Sequence, residues 1–124
     1  MKYLWVALGG ALGSLARYSL GVWIYSRMGT RFPYGTFVIN ITGCFIIGAA
    51  LTILDLRVGL SSAFRYAIPI GFVGAYTTFS TFEYETWRAV QAGEPGIGLL
   101  NIALSVVVGY LAVWLGALAG RLFA

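Results

Sequence analysis

An asparagine amide is the clearest hydrogen-bonding group inside an apolar stretch of this sequence. Asn40 lies within GTFVINITGCFIIG, where Thr36, Asn40 and Gly43 are spaced so that they share one face of a helix. The amide can offer two N–H donors to an anion, or it can bond across to a neighbouring helix as a structural clasp. Both interpretations stay open from these residues alone, because an amide away from water needs partners in either case.

A second group of polar side chains surrounds two phenylalanines further along the chain. Phe79 and Phe82 are three residues apart and fall on one helical face. The edge of an aromatic ring is electropositive, so two ring edges can support a small anion without the deep trap of a buried Lys or Arg. Phe is otherwise an ordinary lipid-facing or core residue. Hydroxyl groups for the same site come from Thr77, Thr78, Ser80 and Thr81.

The ionisable residues closest to membrane depth are Arg17, Glu83 and Glu85. A charge in a membrane segment is normally paired or functional, and an ion pair between Arg17 and Glu85 in a vestibule is one expectation. The alternative is that Arg17, about two turns from the end of its apolar stretch, extends to the membrane interface.

The residue types that are missing or scattered argue against several classes of function. The sequence has no His, which removes the usual general base and the commonest metal ligand. Its one Cys, Cys44, lies in an apolar run and cannot form an internal disulfide. The eight basic residues are spread singly along the chain rather than gathered into the cationic face that nucleic acid requires. We therefore expect neither an enzyme nor a nucleic-acid-binding protein.

The composition is typical of a membrane protein. Of 124 residues, 60% are hydrophobic and only 10% are charged, against about 25% charged in soluble domains. The aromatic content of 16% suits the two interfaces of a bilayer. We expect residues 1–124 to form one all-α domain that crosses the lipid bilayer four times.

Four apolar segments are long enough to cross about 30 Å of hydrocarbon as helices. They run from Tyr3 to about Tyr25, from Pro33 to Leu54, from near Ala63 to Trp87 and from Ile97 to Leu122. The first segment also resembles a secretory signal, but it continues apolar beyond any plausible cleavage point. We therefore expect it to be retained as a span.

The third segment contains residues that weaken a helix. Pro69, Gly71 and Gly74 precede its run of Thr and Ser, and we expect the helix to be broken near the middle of the membrane. Unpaired backbone at that depth is tolerated only where it is buried in protein, lines water or binds an ion. A simple proline kink is the alternative.

Small residues are spaced for close helix packing in two segments. The first segment carries Gly9 and Gly13 four residues apart. The fourth segment carries a longer stripe at Asn101, Ser105, Gly109, Ala112, Gly116 and Gly120. These stripes indicate a compact bundle rather than four independent anchors.

The basic residues are almost evenly divided between the two sides of the predicted bundle. If the N-terminus is cytoplasmic, four lie on that side, namely Lys2, Arg57, Arg65 and Arg121. Three lie on the opposite side, namely Arg27, Arg31 and Arg88, with Arg17 set aside as intramembrane. This difference is too small for the positive-inside rule to decide orientation. The sequence therefore permits insertion both ways, and with it an antiparallel homodimer, unless a bias of one charge is sufficient.

Three stretches of the chain resemble the signature motifs of the Fluc (CrcB) fluoride channels. They are GGALGSLARY, GTFVINITGCFIIG and GAYTTFSTFEYE, and they occur in the order and within the four-span length of that family. The resemblance implies a multi-pass protein of the bacterial inner membrane. It also implies an antiparallel, dual-topology homodimer with two pores, each built from both subunits.

Carried over by motif, the resemblance implies a fluoride pore. Asn40 would be the pore-lining amide, and Phe79 and Phe82 would present their ring edges to fluoride. The hydroxyls of the same pore set are Thr36, Ser80, Thr81 and Ser105. The role of Asn101 stays open, because other members of the family can carry Tyr at that position.

The resemblance also implies one bound metal ion. The backbone carbonyls of Gly74 and Thr77, at the predicted break, would hold a structural sodium ion at the dimer interface. That assignment agrees with the separate expectation that carbonyls exposed by a helix break need partners.

The resulting hypothesis is a fluoride-selective channel that exports fluoride passively across the cytoplasmic membrane and so gives fluoride resistance. Amide, hydroxyl and ring-edge contacts would replace the hydration shell of a small anion in a narrow passage. The main alternative is a small dual-topology multidrug transporter driven by protons, which needs a membrane-embedded carboxylate. The first segment has none, and Glu83 and Glu85 come late in the third. A structural subunit of a larger complex is a third class.

Overall fold

The apolar segments of the sequence form helices in the computed structural model, which describes residues 1–124. The elements are α1 (Lys2–Met28), α2 (Tyr34–Leu56), α3 (Ser62–Arg65), a π-helical segment (Tyr66–Val73), α4 (Gly74–Tyr76), α5 (Phe79–Gln91) and α6 (Pro95–Phe123). No strand is present. The all-α prediction is confirmed.

Two helices, α2 and α6, are long and apolar enough to cross a membrane, each with a mean hydropathy of 2.2 over its most apolar window. They contain 23 and 29 residues, or about 34 and 43 Å of helix. The two other predicted spans are also helical, but they are less apolar. In α1 the apolar residues are interrupted by Arg17, and α5 carries Glu83, Glu85 and Arg88.

The third apolar segment consists of two helical stretches separated by two extended residues. From α3 through the π-helical segment to α4 the chain is helical without a gap, and it becomes extended at Thr77 (φ −84°, ψ 157°) and Thr78 (φ −148°, ψ 119°). Pro69 and Gly71 lie within the π-helical segment rather than at this interruption. Pro69 has no N–H to donate, and the chain accommodates it where the hydrogen bonds widen to five-residue spacing.

Helices α2 and α6 pack closely because small residues face each other's backbone. A Cβ atom added at Gly116 would overlap the carbonyl oxygen of Phe45, and one added at Gly48 would overlap that of Val113. Gly109, Ala112, Gly116 and Gly120 are all buried. The small stripe of the fourth segment therefore packs as its spacing predicts.

The N-terminal helix α1 packs on the π-helical segment in the same way. A side chain at Gly9 would overlap the carbonyl oxygen of Ala67, and one at Gly13 would overlap that of Phe72. Helix α5 packs on α6, and α1 also packs on α4 and α2. The buried apolar core is small, consisting of Ile24, Ile39, Val73, Tyr76, Phe82 and Ala112, whereas the Trp, most of the Leu and half of the Phe side chains face outward. Such an outward apolar surface is the arrangement that lipid requires.

Candidate functional site

A groove of about 410 Å³ opens where α2 and α6 meet the interruption between α4 and α5. We call it the asparagine groove. Its polar lining comes from Asn40, Thr77, Thr78 and Ser105, and its aromatic lining from Phe79 and Phe82. The structure therefore brings together five of the predicted site residues, namely Asn40, Phe79, Phe82, Ser105 and Thr77. No lining residue of this groove is charged.

Asn40 is joined by two hydrogen bonds to one residue of the interruption. Its Nδ2 donates to the carbonyl oxygen of Thr78 at 3.1 Å, and its Oδ1 accepts from the Thr78 amide at 2.9 Å. The amide is thus an interhelical clasp, as one of the two sequence interpretations proposed. An amide nitrogen carries two protons, so one N–H of Asn40 is left for another acceptor in the groove.

The clasp on Thr78 also changes the hydrogen bonding of Gly74. In a continuous α-helix the Thr78 amide would donate to the Gly74 carbonyl. Here the Thr78 amide donates to Asn40, and the Thr77 amide donates to Val73 at 3.0 Å. The Gly74 carbonyl therefore accepts a hydrogen bond from neither of these amides and is available to another partner.

The two phenylalanines of the groove have very different environments. Their ring centroids are 6.0 Å apart with an interplanar angle of 48°. Phe82 is 8% exposed and belongs to the core, whereas Phe79 is 75% exposed at the open side of the groove. The two rings lie side by side, but within one chain only Phe82 is enclosed.

A second cavity, of about 510 Å³, lies between the loop after α1 and helix α5. We call it the outer cleft. Arg31, Glu85 and Arg88 are among its lining residues, together with Thr81. The Thr78 hydroxyl, which lines the asparagine groove, donates to the Thr81 hydroxyl at 3.1 Å. One residue of this bonded pair therefore lines each cavity.

Glu85 is held by hydroxyl groups rather than by a cation. Thr36 Oγ1 donates to its Oε1 at 2.7 Å, and the Tyr25 hydroxyl lies 3.1 and 3.0 Å from its two oxygens. Thr36 is buried beside this carboxylate and does not line the groove. Sequence reasoning missed Tyr25, because a Tyr near the end of a span is an ordinary interfacial residue.

The predicted ion pair between Arg17 and Glu85 does not form. Arg17 Nε instead donates to the carbonyl oxygen of Ala75 at 3.0 Å. Ala75 is next to the last residue of α4, where carbonyls lack helical donors and the helix dipole favours a positive charge. The helix interruption therefore provides the partner for Arg17.

Two further predicted residues, Ser80 and Ser105, are placed differently by the structure. Ser80 is exposed and lines neither cavity. Ser105 lines the groove, and its hydroxyl donates to Asn101 Oδ1 at 3.3 Å. Asn101 itself is 1% exposed and lies behind the groove.

Comparison with known proteins gives consistent matches over most of the chain. The family model described as CrcB-like protein, Camphor Resistance (CrcB), matches residues 4–117. The chain is 68% identical over 121 residues to a fluoride-specific ion channel FluC from Acidobacterium capsulatum, covering 98% of this chain and 97% of the relative. Identity to the protein of that name from Solibacter usitatus is 56%, with 98% and 99% covered. Identity to the fluoride-specific ion channel FluC from Magnetococcus marinus is 42%, covering 98% of this chain and 99% of the relative.

Proposed function

Because the chain belongs to the CrcB family and is highly similar over its full length to fluoride-specific channels, it is a fluoride channel, and we propose that fluoride passes through the asparagine groove. The observation that carries this proposal is the composition of the groove. The lining is uncharged, and its three hydroxyl protons are engaged by Val73, Thr81 and Asn101. Its free donors are one spare amide N–H and the edges of two aromatic rings. These groups can replace the water around a small anion while binding it weakly enough for release.

The outer cleft is proposed as the vestibule of this pathway. Its lining holds two arginines and two glutamates and is formally neutral, with Arg31 paired to Glu94 at 3.3 Å. Arg88 has no ion-pair partner and is the cation that can attract anions to this mouth. The Thr78–Thr81 hydroxyl pair offers the next contacts toward the groove. Glu85 lies beside the path with its oxygens engaged by Tyr25 and Thr36, and Ser80 would join the track only where α5 meets another surface.

A second copy of the chain is proposed to close the groove. A groove that is open on one side cannot enclose an ion, and Phe79 is 75% exposed on that side. An antiparallel partner would cover this ring and create two equivalent pores about a two-fold axis. The near balance of basic residues supports insertion in both orientations.

The interruption in the third segment is proposed to lie at mid-membrane and to bind a sodium ion at the dimer centre. The Gly74 carbonyl fits this role because the Thr78 amide, its donor in a continuous helix, donates to Asn40 instead. Thr77 is extended, so its carbonyl also leaves the helical direction. Hard cations prefer such oxygen ligands, and a bound cation would add a fixed positive charge at the join between subunits.

Reconstituted liposomes test the function directly. Vesicles loaded with fluoride should lose it through the protein without a proton gradient, whereas vesicles loaded with chloride should retain their contents. Chloride flux comparable to fluoride flux would defeat the assignment. Flux that requires a proton gradient would instead favour the drug-transporter alternative, with Glu85 as the carboxylate.

The cellular role proposed is passive fluoride export across the bacterial cytoplasmic membrane. A strain without its own fluoride exporter should regain growth on fluoride when it produces this chain. The same strain with an empty vector is the control. Membrane fractionation of these cells should recover the protein with the inner membrane.

A further inference from the structure

A network of part-buried hydrogen bonds joins α5 to α6 and reaches the asparagine groove at Ser105, and the proposed function gives it no role. Its central member is Asn101, which at 1% exposure is the most deeply buried polar side chain of the protein. Asn101 Nδ2 donates to Thr86 Oγ1 at 3.0 Å, and its Oδ1 accepts from the Ser105 hydroxyl at 3.3 Å. Thr86 belongs to α5 and Asn101 to α6, so the amide links these two helices. Its other partner, Ser105, lines the groove.

One backbone carbonyl determines which group is the donor and which the acceptor in each hydrogen bond of this network. The Thr86 hydroxyl donates its only proton to the carbonyl oxygen of Phe82 at 2.8 Å. Thr86 Oγ1 can therefore only accept from Asn101, which turns the NH₂ end of the amide toward Thr86. The oxygen end must then face Ser105, and Ser105 must be the donor.

This direction has a consequence for Ser105 at the groove. A hydroxyl carries one proton, and that of Ser105 is engaged by Asn101, so the hydroxyl presents lone pairs to the groove. Lone pairs repel an anion. Ser105 can donate to fluoride only by leaving Asn101, and their separation of 3.3 Å is longer than the usual O–H···O range of about 2.5–3.0 Å, so the bond to be broken is weak.

We propose that Asn101 is a positioning residue that competes with fluoride for the proton of the Ser105 hydroxyl. This inference rests on the proposed passage of fluoride through the asparagine groove. Fluoride gains a donor when it arrives, but the buried Asn101 oxygen loses one, and the two effects partly cancel. Asn101 thereby limits how tightly the groove holds fluoride, which speeds release.

Two substitutions at different points of this hydrogen-bond network test the competition between Asn101 and fluoride for the Ser105 proton. Asn101→Leu keeps the approximate volume and removes the acceptor, so the Ser105 proton is no longer held by a side chain. Thr86→Val removes the group that orients the amide, which can then turn its NH₂ toward Ser105. Both variants should lower the half-saturating fluoride concentration for flux by roughly fivefold, the factor that one net hydrogen bond is worth, and should reduce the maximal flux.

The same two substitutions made on a Ser105→Ala background separate this role from simple packing. Without a hydroxyl at position 105 there is no proton to compete for, so the shift in half-saturating concentration should disappear. Thr52→Val is the matched control, because Thr52 lies beside Gly120 of α6 and does not line the groove. It should leave the half-saturating concentration unchanged.

Results that contradict the competition at Ser105 can be told apart from results that contradict the proposed fluoride transport. A parent-like half-saturating concentration in both variants, or a shift that persists undiminished with Ala at position 105, would overturn the competition while leaving the channel intact. A parent protein without fluoride flux would overturn the function itself. If Asn101→Leu fails to assemble on size exclusion, the comparison of Thr86→Val with and without Ser105→Ala decides. Thr86 is only partly buried, so its replacement by Val should disturb assembly less.

Discussion

Asn40 shows how one side chain can combine a structural clasp with the spare donor that the proposed pore needs. Its two bonds to Thr78 hold the two halves of the third segment against α2, and they leave one N–H for an anion. Only an uncharged amide offers an acceptor, a bonded donor and a spare donor from one planar group.

Replacing Asn40 with Asp should therefore reduce both stability and fluoride flux. If ionised, the carboxylate places an oxygen where Nδ2 now lies 3.1 Å from the Thr78 carbonyl oxygen, and the unmade bond costs about 1–3 kcal/mol. If protonated, it can restore that bond but has no second proton for fluoride. Fluoride efflux and thermal inactivation on size exclusion measure the two effects. A variant that assembles normally and conducts at the parent rate would remove Asn40 from the pathway.

Phe79 offers a cleaner test of the aromatic edges than Phe82. Because Phe79 is 75% exposed, Phe79→Ile disturbs little packing within the chain, whereas Phe82 belongs to the core. Flux should fall by about two- to tenfold in Phe79→Ile, the range expected for losing one aromatic contact of about 0.5–1.5 kcal/mol.

The matched control for this change is Phe64→Ile, an exposed Phe on α3 that lines neither cavity. It should conduct at the parent rate. Equal flux from the Phe79 and Phe64 variants would show that the ring at position 79 fills space only.

Residue type and spacing indicated Asn40, Phe79 and Phe82, which line the groove, but also hydroxyls such as Ser80 that do not line it. They did not indicate the hydrogen-bond partners. The donor capacity of Asn40 follows from its chemistry, whereas its bond to Thr78 depends on where the third segment becomes extended. An ion pair with Glu85 is one of two expectations for Arg17, and Arg17 instead bonds Ala75 because the end of α4 exposes carbonyls. Tyr25 and Asn101 joined polar networks through contacts between distant segments, which no local pattern in the sequence encodes.

At the scale of helices, close approach of backbones is the main packing device. Without a hydrophobic driving force between helices in lipid, small residues allow the dispersion contacts that hold a bundle together. The spacing of glycines in α1 and α6 therefore predicted which faces pack. The π-helical segment was not predictable in the same way, because Pro69 and the glycines are equally compatible with a kink or a break.

Neighbouring glycines of α1 give a matched test of this packing. Gly9→Ala would place a methyl group against the carbonyl of Ala67, and relieving the overlap should cost about 1–3 kcal/mol. Gly10→Ala is the control, since the nearest atoms to an added Cβ there are at ordinary contact distances of 3.8 and 4.0 Å. Thermal inactivation in detergent should separate the two variants. Equal inactivation temperatures would mean that α1 and the π-helical segment are not in close contact.

For the whole molecule, the central expectation is equal insertion in two orientations. The four-to-three division of basic residues provides almost no bias, so a reporter fused to the C-terminus should be found on both sides of the membrane. Exclusive location on one side would rule out the antiparallel pair and the shared pores.

A biased variant extends this topology test. Changing Ser26 and Thr30 to Lys adds two positive charges near the loop between α1 and α2, where both residues are exposed. This side should then become predominantly cytoplasmic, because it would carry the larger positive charge. Flux should fall as antiparallel partners become scarce, and co-expression with an oppositely biased chain should restore it.

The unequal lengths of the packed helices α2 and α6 link the channel to bilayer thickness. At about 43 Å, α6 exceeds a hydrocarbon core of about 30 Å, and such hydrophobic mismatch is relieved by tilting or by local thickening of the lipid. Because Gly48 and Gly116 hold α2 and α6 together, a change in the tilt of one helix is passed to the other. The asparagine groove is bounded by both helices and by α5. Lipids with longer acyl chains would let this pair stand more upright, so we expect membrane thickness to change the shape of the proposed anion path.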